Sequence, residues 1–375
     1  MSLKKYLVLG TGVGKAIAYA LLNSSENNSV TIADIDFRRA RDVADIIRKL
    51  IGRQCLCFPM EFEVGDPNTR LIFKNYDVVI SALPAKYNFE LAKAAIKAGV
   101  HFCDLGGVVE VTKRMLSLNQ KYPAMESSIV PDCGLMPGLG IIIAKKLLLN
   151  LGGAKFIEIL VGGLPQKPQP PTYYQKVFHS EGLRHICYDM APILSDGEIK
   201  LVKPFYDYSQ IDIPELERFS EKFNGRIETF VTAGASLAAE SFRSWGVKYF
   251  AEKTVRRPGF VDFFKKVPEY KFEQAIEEYL TIPVDAENPD LVWMRVMVRK
   301  TGINPKSVSL LDLYDNKTGL TAMQRTTGFT TAVIAEMIAE GKTKPGVCTP
   351  ENAFDDSGVN EILERLGHFF IFKEN

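Results

Sequence analysis

The chain has 375 residues and almost balanced charge, 46 lysines and arginines against 45 aspartates and glutamates, for a formal net charge of +1. That length implies about two domains with sizeable cores, and the balance implies no nucleic acid or other polyanion as a partner. The six cysteines are scattered, and Cys55-x-Cys57 lacks the second pair and the histidines of a zinc site, so the expectation is reduced thiols, no metal and a cytoplasmic protein.

Residues 4–9 (KKYLVL) read as a buried apolar strand, with no room before them for a signal peptide. The strand runs into Gly10-Thr11-Gly12-Val13-Gly14, and residues 15–22 (KAIAYALL) have the apolar spacing of a helix packed on a sheet. A strand, a glycine turn and a helix N-terminus together hold a pyrophosphate. Glycines let the backbone approach the phosphates, and the positive end of the helix meets their charge. The turn is one residue shorter than G-x-G-x-x-G, with Lys15 where the third glycine belongs. A second strand, residues 29–33, ends in Asp34, close to the ~20-residue spacing at which an acid takes the adenosine ribose hydroxyls. Its charge favours NAD over NADP, although Arg38 and Arg39 follow and can accommodate a 2′-phosphate. The alternative role for Asp34 or Asp36 is to cap the helix predicted from Phe37 to Leu50.

Further strands are predicted at 75–83, ending in Ser81-Ala82-Leu83-Pro84, at 100–104, ending in Asp104-Leu105-Gly106-Gly107, and at 128–132, ending in Asp132-Cys133-Gly134. Helices at 89–98 and 109–121 alternate with them, which means a parallel, doubly wound Rossmann sheet over residues 1–132. Ligands lie at the carboxyl ends of such strands, so Gly10, Thr11, Gly12, Val13, Gly14, Asp34, Ser81, Ala82, Leu83 and Gly106 are the candidate cofactor residues. The most apolar stretch, 138–151, contains Lys145 and Lys146 and is too short to span a bilayer.

After Gly152-Gly153 the pattern changes. Residues 154–161 form a strand, and Gly162-Gly163-Leu164-Pro165 opens a proline-rich loop through Pro171. Strand candidates at 226–232, 247–255, 291–300 and 307–315 succeed one another without helices, which predicts an α+β domain with a mixed or antiparallel sheet over 133–328. Residues 329–375 supply a helix at 330–338, a second helix and a short strand at 369–372, a tail expected to return to the first domain.

For chemistry, hydride leaves a carbon bearing nitrogen only when that nitrogen has a lone pair, so an ammonium must first lose a proton. A nearby carboxylate both attracts the cation and takes its proton. Asp104 and Asp132 end adjacent strands and are the candidates; their alternative role is to accept backbone N–H groups of the glycine turns that follow. Tyr174 and His179 flank the proline loop, and His179 is a candidate acid/base at neutral pH. His101 and His185 read as core residues and Cys133 as a structural thiol. Arg243, Arg256 and Arg257 are each able to grip a carboxylate or form surface ion pairs.

Strand–GTGVGKAIA–helix, ADID, ISALP, DLGG and DCGLMPG together resemble the saccharopine dehydrogenase family. VGGLP, the proline loop to Tyr173-Tyr174, VFHSEGL at 177–183 and RTTGFT at 325–330 resemble its lysine 6-dehydrogenase branch. The resemblance implies a Rossmann domain built from both chain ends, a mixed-sheet substrate domain and a homodimer joined through it. In the lysine branch it also implies NAD-dependent oxidative deamination of L-lysine at the ε-carbon, with cyclisation of the product aldehyde. Phe260 stands where lysine-branch relatives tend to have His, while residues 230–236 lack an arginine that saccharopine reductases place there, which favours a substrate with one carboxylate. The alternatives are a saccharopine- or carboxynorspermidine-type reductase using NADPH, and a dinucleotide sensor without turnover.

Overall fold

The structure is a computed structural model that describes residues 2–52 and 55–374. The chain forms two compact units, residues 1–142 with 324–369 and residues 143–323 with 370–375.

The first unit is built on β1 (Lys4–Leu9), β2 (Asn28–Asp34), β3 (Leu56–Glu61), β4 (Val78–Ser81), β5 (His101–Asp104), β6 (Ser128–Val130) and the late β15 (Gly346–Val347). All pair in parallel, in the order β15-β6-β5-β4-β1-β2-β3. Chain direction across the sheet reverses between β1 and β4, which is where an open parallel sheet leaves a crevice for a ligand. Leu7, Val8 and Leu9 in the middle of the sheet are fully buried, as a strand covered on both faces requires. The predicted helix 109–121 breaks at Ser117 into Val109–Leu116 and Leu118–Lys121. The sequence reading missed β3 because only Cys57 in it is buried; it is an edge strand, and an edge admits Pro59.

The second unit carries β7 (Phe156–Pro165), β8 (Ala191–Ser195), β9 (Glu198–Val202), β10 (Ser209–Asp212), β11 (Arg226–Val231), β12 (Tyr249–Arg256), β13 (Asp290–Arg299), β14 (Lys306–Leu313) and β16 (Phe372–Glu374). Their order is β10-β11-β12-β7-β13-β14-β16, with the β8–β9 hairpin joined at β12. β7 runs parallel to β12 and antiparallel to β13, so the sheet is mixed, as predicted.

Several local readings are corrected. Gly162-Gly163-Leu164-Pro165 does not open a loop but continues β7 against Asp290–Trp293. Its glycines answer to packing: a Cβ on Gly162 would lie 2.4 Å from the Val255 carbonyl, and one on Gly163 2.8 Å from both Met323 and Val177. Helices Phe260–Phe264 and Phe272–Tyr279 separate β12 from β13, where no helix was expected. The final strand does not return to the first unit but pairs with β14. The helix predicted at 330–338 starts earlier and runs Ala322–Ala339, because the buried Asp290 accepts the Ala322 and Met323 amides at 2.8 and 3.0 Å. A cap supplied from a strand so distant in sequence leaves no local signal.

Among the described residues, no helix is long and apolar enough to cross a membrane, and no group of three His, Cys, Asp or Glu is placed to hold a metal.

Candidate dinucleotide site and neighbouring acids

The glycine turn keeps the fingerprint's division of labour despite its missing residue. Gly10 has φ +95°, and a Cβ there would lie 2.9 Å from the Ala82 carbonyl, so only glycine lets the end of β1 pass the end of β4. Gly12 has open space where a Cβ would lie. Gly14 takes the part of the third glycine: its missing Cβ would meet Val8 at 3.0 Å, so the helix Gly14–Ser24 beds closely on β1. That helix has no side-chain cap and no acid in its first turn, which leaves the positive end of its dipole to an incoming anion. Gln324 steadies the turn by donating from Nε2 to the Gly12 carbonyl at 3.2 Å.

The structure separates the two roles considered for Asp34 and Asp36. Asp36 caps the helix Phe37–Ile51, accepting the Arg38 amide at 2.9 Å. Asp34 turns toward the glycine turn and accepts the Thr11 hydroxyl at 2.6 Å and the Thr11 amide at 3.3 Å. The exposed Arg38 and Arg39 lie just beyond it. Of the β4 tip, Ser81 is buried and donates to Asn88 at 2.7 Å, so its hydroxyl ties β4 to the following helix, while Ala82 and Leu83 wall the glycine turn. The turn and these side chains fit a dinucleotide: a backbone cradle closed to a Cβ at Gly10 and Gly14 and open at Gly12, an uncapped helix and a carboxylate aimed at the turn.

Asp104 and Asp132 come together beneath two glycine loops. Asp104 Oδ1 accepts the Gly106 amide at 2.7 Å and the Asp132 amide at 3.2 Å, while its Oδ2 is buried with no hydrogen-bond partner among the described residues. Burial first, then the neighbouring Asp132 charge, pushes the Asp104 carboxyl up to about 7, so it takes up and releases a proton near neutrality. Asp132 sits at φ +67° and accepts the Thr112 hydroxyl at 3.1 Å. Gly106 is held so close that a Cβ would lie 2.2 Å from Asp132 Oδ1 and 2.8 Å from Pro137. Both acids are at most 2% exposed, and Asp104 does accept a turn amide, the structural role weighed for it above. Sequence reasoning missed Thr112 and Asn88. Each reaches a strand tip through its side chain, and nothing in their spacing marks them.

Cys133 is buried with its Sγ 3.1 Å from the Val130 carbonyl, and burial raises its thiol well above the ordinary range, which fits a structural thiol. His101 accepts the Ser128 amide on Nδ1 at 3.0 Å, a neutral core histidine. His185 is part-buried on its helix and pairs through Nδ1 with Asp189 Oδ2 at 2.5 Å.

In the second unit, Tyr174 is 7% exposed, packs edge-on against Phe260 at 5.3 Å, and keeps its hydroxyl buried. Burial pushes that phenol up to about 12, so it is a proton-bearing donor at neutral pH and not a base. His179 is exposed at the start of the helix Ser180–Tyr188. Glu252, which the sequence reading did not single out, is buried, accepts the Thr232 hydroxyl at 2.6 Å, and is pushed up to about 7 by burial.

Asp34→Ala is expected to weaken NAD about tenfold, the loss of one hydrogen bond to a charged group, and to move the NAD-to-NADP affinity ratio toward NADP. Fluorescence titration of both dinucleotides checks this; an unchanged preference removes Asp34 from the ribose.

The first unit is thus a doubly wound domain of the dinucleotide-binding class. Residues 6–130 match the family model described as the saccharopine dehydrogenase NADP binding domain, and residues 134–371 match that of the saccharopine dehydrogenase C-terminal domain. The chain belongs to the saccharopine dehydrogenase family. Saccharopine dehydrogenase (NADP+, L-glutamate-forming) of Schizosaccharomyces pombe is 23% identical over 318 residues, 82% of this chain, and this chain spans 65% of that relative's length. Among solved structures, apo saccharopine dehydrogenase (L-Glu forming) from Saccharomyces cerevisiae superposes with a TM-score of 0.76 at 15% identity over 99% of each chain. Homospermidine synthase from Legionella pneumophila, in complex with NAD, gives 0.63 at 12% identity, over 99% of this chain and 91% of that one. These likenesses define the fold.

Proposed function

We propose that the protein is an NAD(P)-dependent oxidoreductase acting on the C–N bond of an amino-acid amine, with oxidative deamination of L-lysine at the ε-carbon as the favoured reaction. The observation that carries the reading is the glycine turn, closed to any Cβ at Gly10, open at Gly12 and faced by Asp34.

The pyrophosphate is assigned to Gly10–Gly14 and the helix start, and the ribose to Asp34. When bound, the nicotinamide supplies the hydride acceptor. The chain's own contribution is to hold and move protons and to orient the amine. Asp104, poised near neutrality and with one carboxylate oxygen uncommitted, takes a proton from the ammonium or from an intervening water. Asp132, held by the Thr112 hydroxyl and packed against Gly106, donates its amide to Asp104 and raises that carboxyl's proton affinity. In the second unit, Tyr174 is a neutral proton donor and His179 stands exposed at the start of its helix.

A second reading, a C–N-forming reductase using NADPH, draws support from the exposed Arg38 and Arg39 beside Asp34 and from the NADP+ in the name of the S. pombe relative. Steady-state assays separate the two. L-lysine with NAD is expected to produce NADH, and an aldehyde plus amine with NADPH is expected to give less than a tenth of that turnover; no NADH from lysine at saturating NAD overturns the first reading.

A further inference from the structure

Asp34 is already committed to donors of its own chain. Its Oδ2 accepts the Thr11 hydroxyl at 2.6 Å and the Thr11 amide at 3.3 Å, and its Oδ1 accepts the Asp36 amide at 3.2 Å. A carboxylate offers about four lone-pair sites, two on each oxygen, so Oδ2 is filled and one site on Oδ1 is left. A ribose presents two neighbouring hydroxyls, and a carboxylate grips both through one free site on each oxygen. The short bond from the Thr11 hydroxyl therefore stands where the second ribose bond would form. The cations nearby are in the opposite condition. Arg38 and Arg39 are exposed, Arg38 meets Asp36 through its backbone amide, and Arg39 Nε reaches Asp36 only at 3.8 Å with 71% of its side chain exposed. All of these groups lie in the first unit.

We infer that Thr11 is a specificity-determining residue: its hydroxyl holds Asp34 back from an unphosphorylated ribose and so narrows the discrimination between NAD and NADP. Thr11 acts through Asp34 and is a positioning residue. Two effects work in the same direction. To serve both ribose hydroxyls, Asp34 must release the Thr11 hydroxyl, and a bond to a charged acceptor is about twice as strong as a neutral one, a cost that falls on NAD alone. A 2′-phosphate takes no bond from Asp34. It meets a carboxylate whose charge three protein donors already stabilise, and its own charge falls to Arg38 and Arg39. The inference deepens the proposed function and rests only on its assignment of a dinucleotide to the glycine turn, not on the amine chemistry.

The test is calorimetric titration of the full chain with ADP-ribose and 2′-phospho-ADP-ribose. These probes carry the adenosine ends of the two cofactors without the nicotinamide, so turnover plays no part. The wild type is expected to bind both. Thr11→Val keeps the side chain's shape and removes the hydroxyl, and the affinity ratio is expected to move about fivefold toward ADP-ribose as the freed acceptor goes to the ligand. Thr11→Ser restores the hydroxyl and the wild-type ratio. In an Asp34→Ala background Thr11→Val leaves the ratio unchanged, because the hydroxyl acts only through that carboxylate. A general loosening of the turn would instead weaken both probes alike. The role is overturned if the ratio in Thr11→Val stays within about twofold of wild type, moves toward the phosphorylated probe, or shifts as much with Asp34 absent. It is overturned too if the wild type rejects the phosphorylated probe by more than about a hundredfold, since no narrowing then exists. If the wild type binds neither probe, the dinucleotide assignment falls and the role of Thr11 with it; if both bind and only the ratios fail, the assignment stands and Thr11 alone is struck from it.

Discussion

Gly106→Ala is expected to unfold the end of the first unit where β5 and β6 deliver their acids. The new Cβ would sit 2.2 Å from Asp132 Oδ1 and 2.7 Å from the Asp132 Cα, and that second atom is backbone, so no rotamer relieves it. Gly106 also holds φ +74°, a conformation that costs an L-residue about 1–2 kcal/mol. Adding roughly 1–3 kcal/mol for overpacking gives a total of about 2–5 kcal/mol. That is a large fraction of the ~5–15 kcal/mol by which domains are stable. Denaturant melts should show it, together with loss of dinucleotide binding. Gly12→Ala is the control: nothing lies within 4 Å of its Cβ position, so it should melt like the wild type and fail only in binding. If Gly106→Ala melts within about 2 °C of the wild type, the two loops are not packed as described.

Asp104→Asn should remove a pH-dependent penalty on stability. The folded-state pKa is raised from 3.8 to about 7, so between those values the native state holds a proton that the unfolded state has released. Stability therefore falls as pH rises through this window, by up to roughly 4 kcal/mol at ~1.4 kcal/mol per unit, and is flat on either side. Asparagine keeps an oxygen for the Gly106 and Asp132 amides and does not ionise, so the variant should lose this part of the decline. Glu252 and Asp290, raised by burial to about 7 and about 6, still contribute theirs. Chemical denaturation at pH 5 and pH 8 reads the difference: the variant gains on the wild type at pH 8. Equal gains at both pH values would mean that Asp104 is ionised across the whole range. If Asp104 also takes the substrate's proton, the same variant loses turnover while its dinucleotide affinity is unchanged.

How much of this was legible from the chain follows from the range of the forces involved. Strand periodicity, the glycine turn and its helix are local, and a buried parallel strand such as 4–9 announces itself by apolar content alone, so the doubly wound class and the candidate cofactor residues could be read directly. Asp34 was visible because the fingerprint places an acid at the tip of the second strand. Edge elements such as β3, β9 and β10 were not, since half-exposed strands carry little apolar signal.

What only the tertiary structure decided are properties of pairs distant in sequence. Composition shows an aspartate at 104 and another at 132, but only the pairing of β5 with β6 sets one amide against the other carboxylate and lifts a proton affinity toward neutrality. In the same way Arg256 and Arg257 are near-identical in sequence. Burial gives one of them aromatic rings and a glutamate's charge and leaves the other with no hydrogen-bond partner among the described residues, because hydrophobicity sets which strands form while desolvation and partner geometry, fixed only once the chain has packed, set what a charged side chain is able to do.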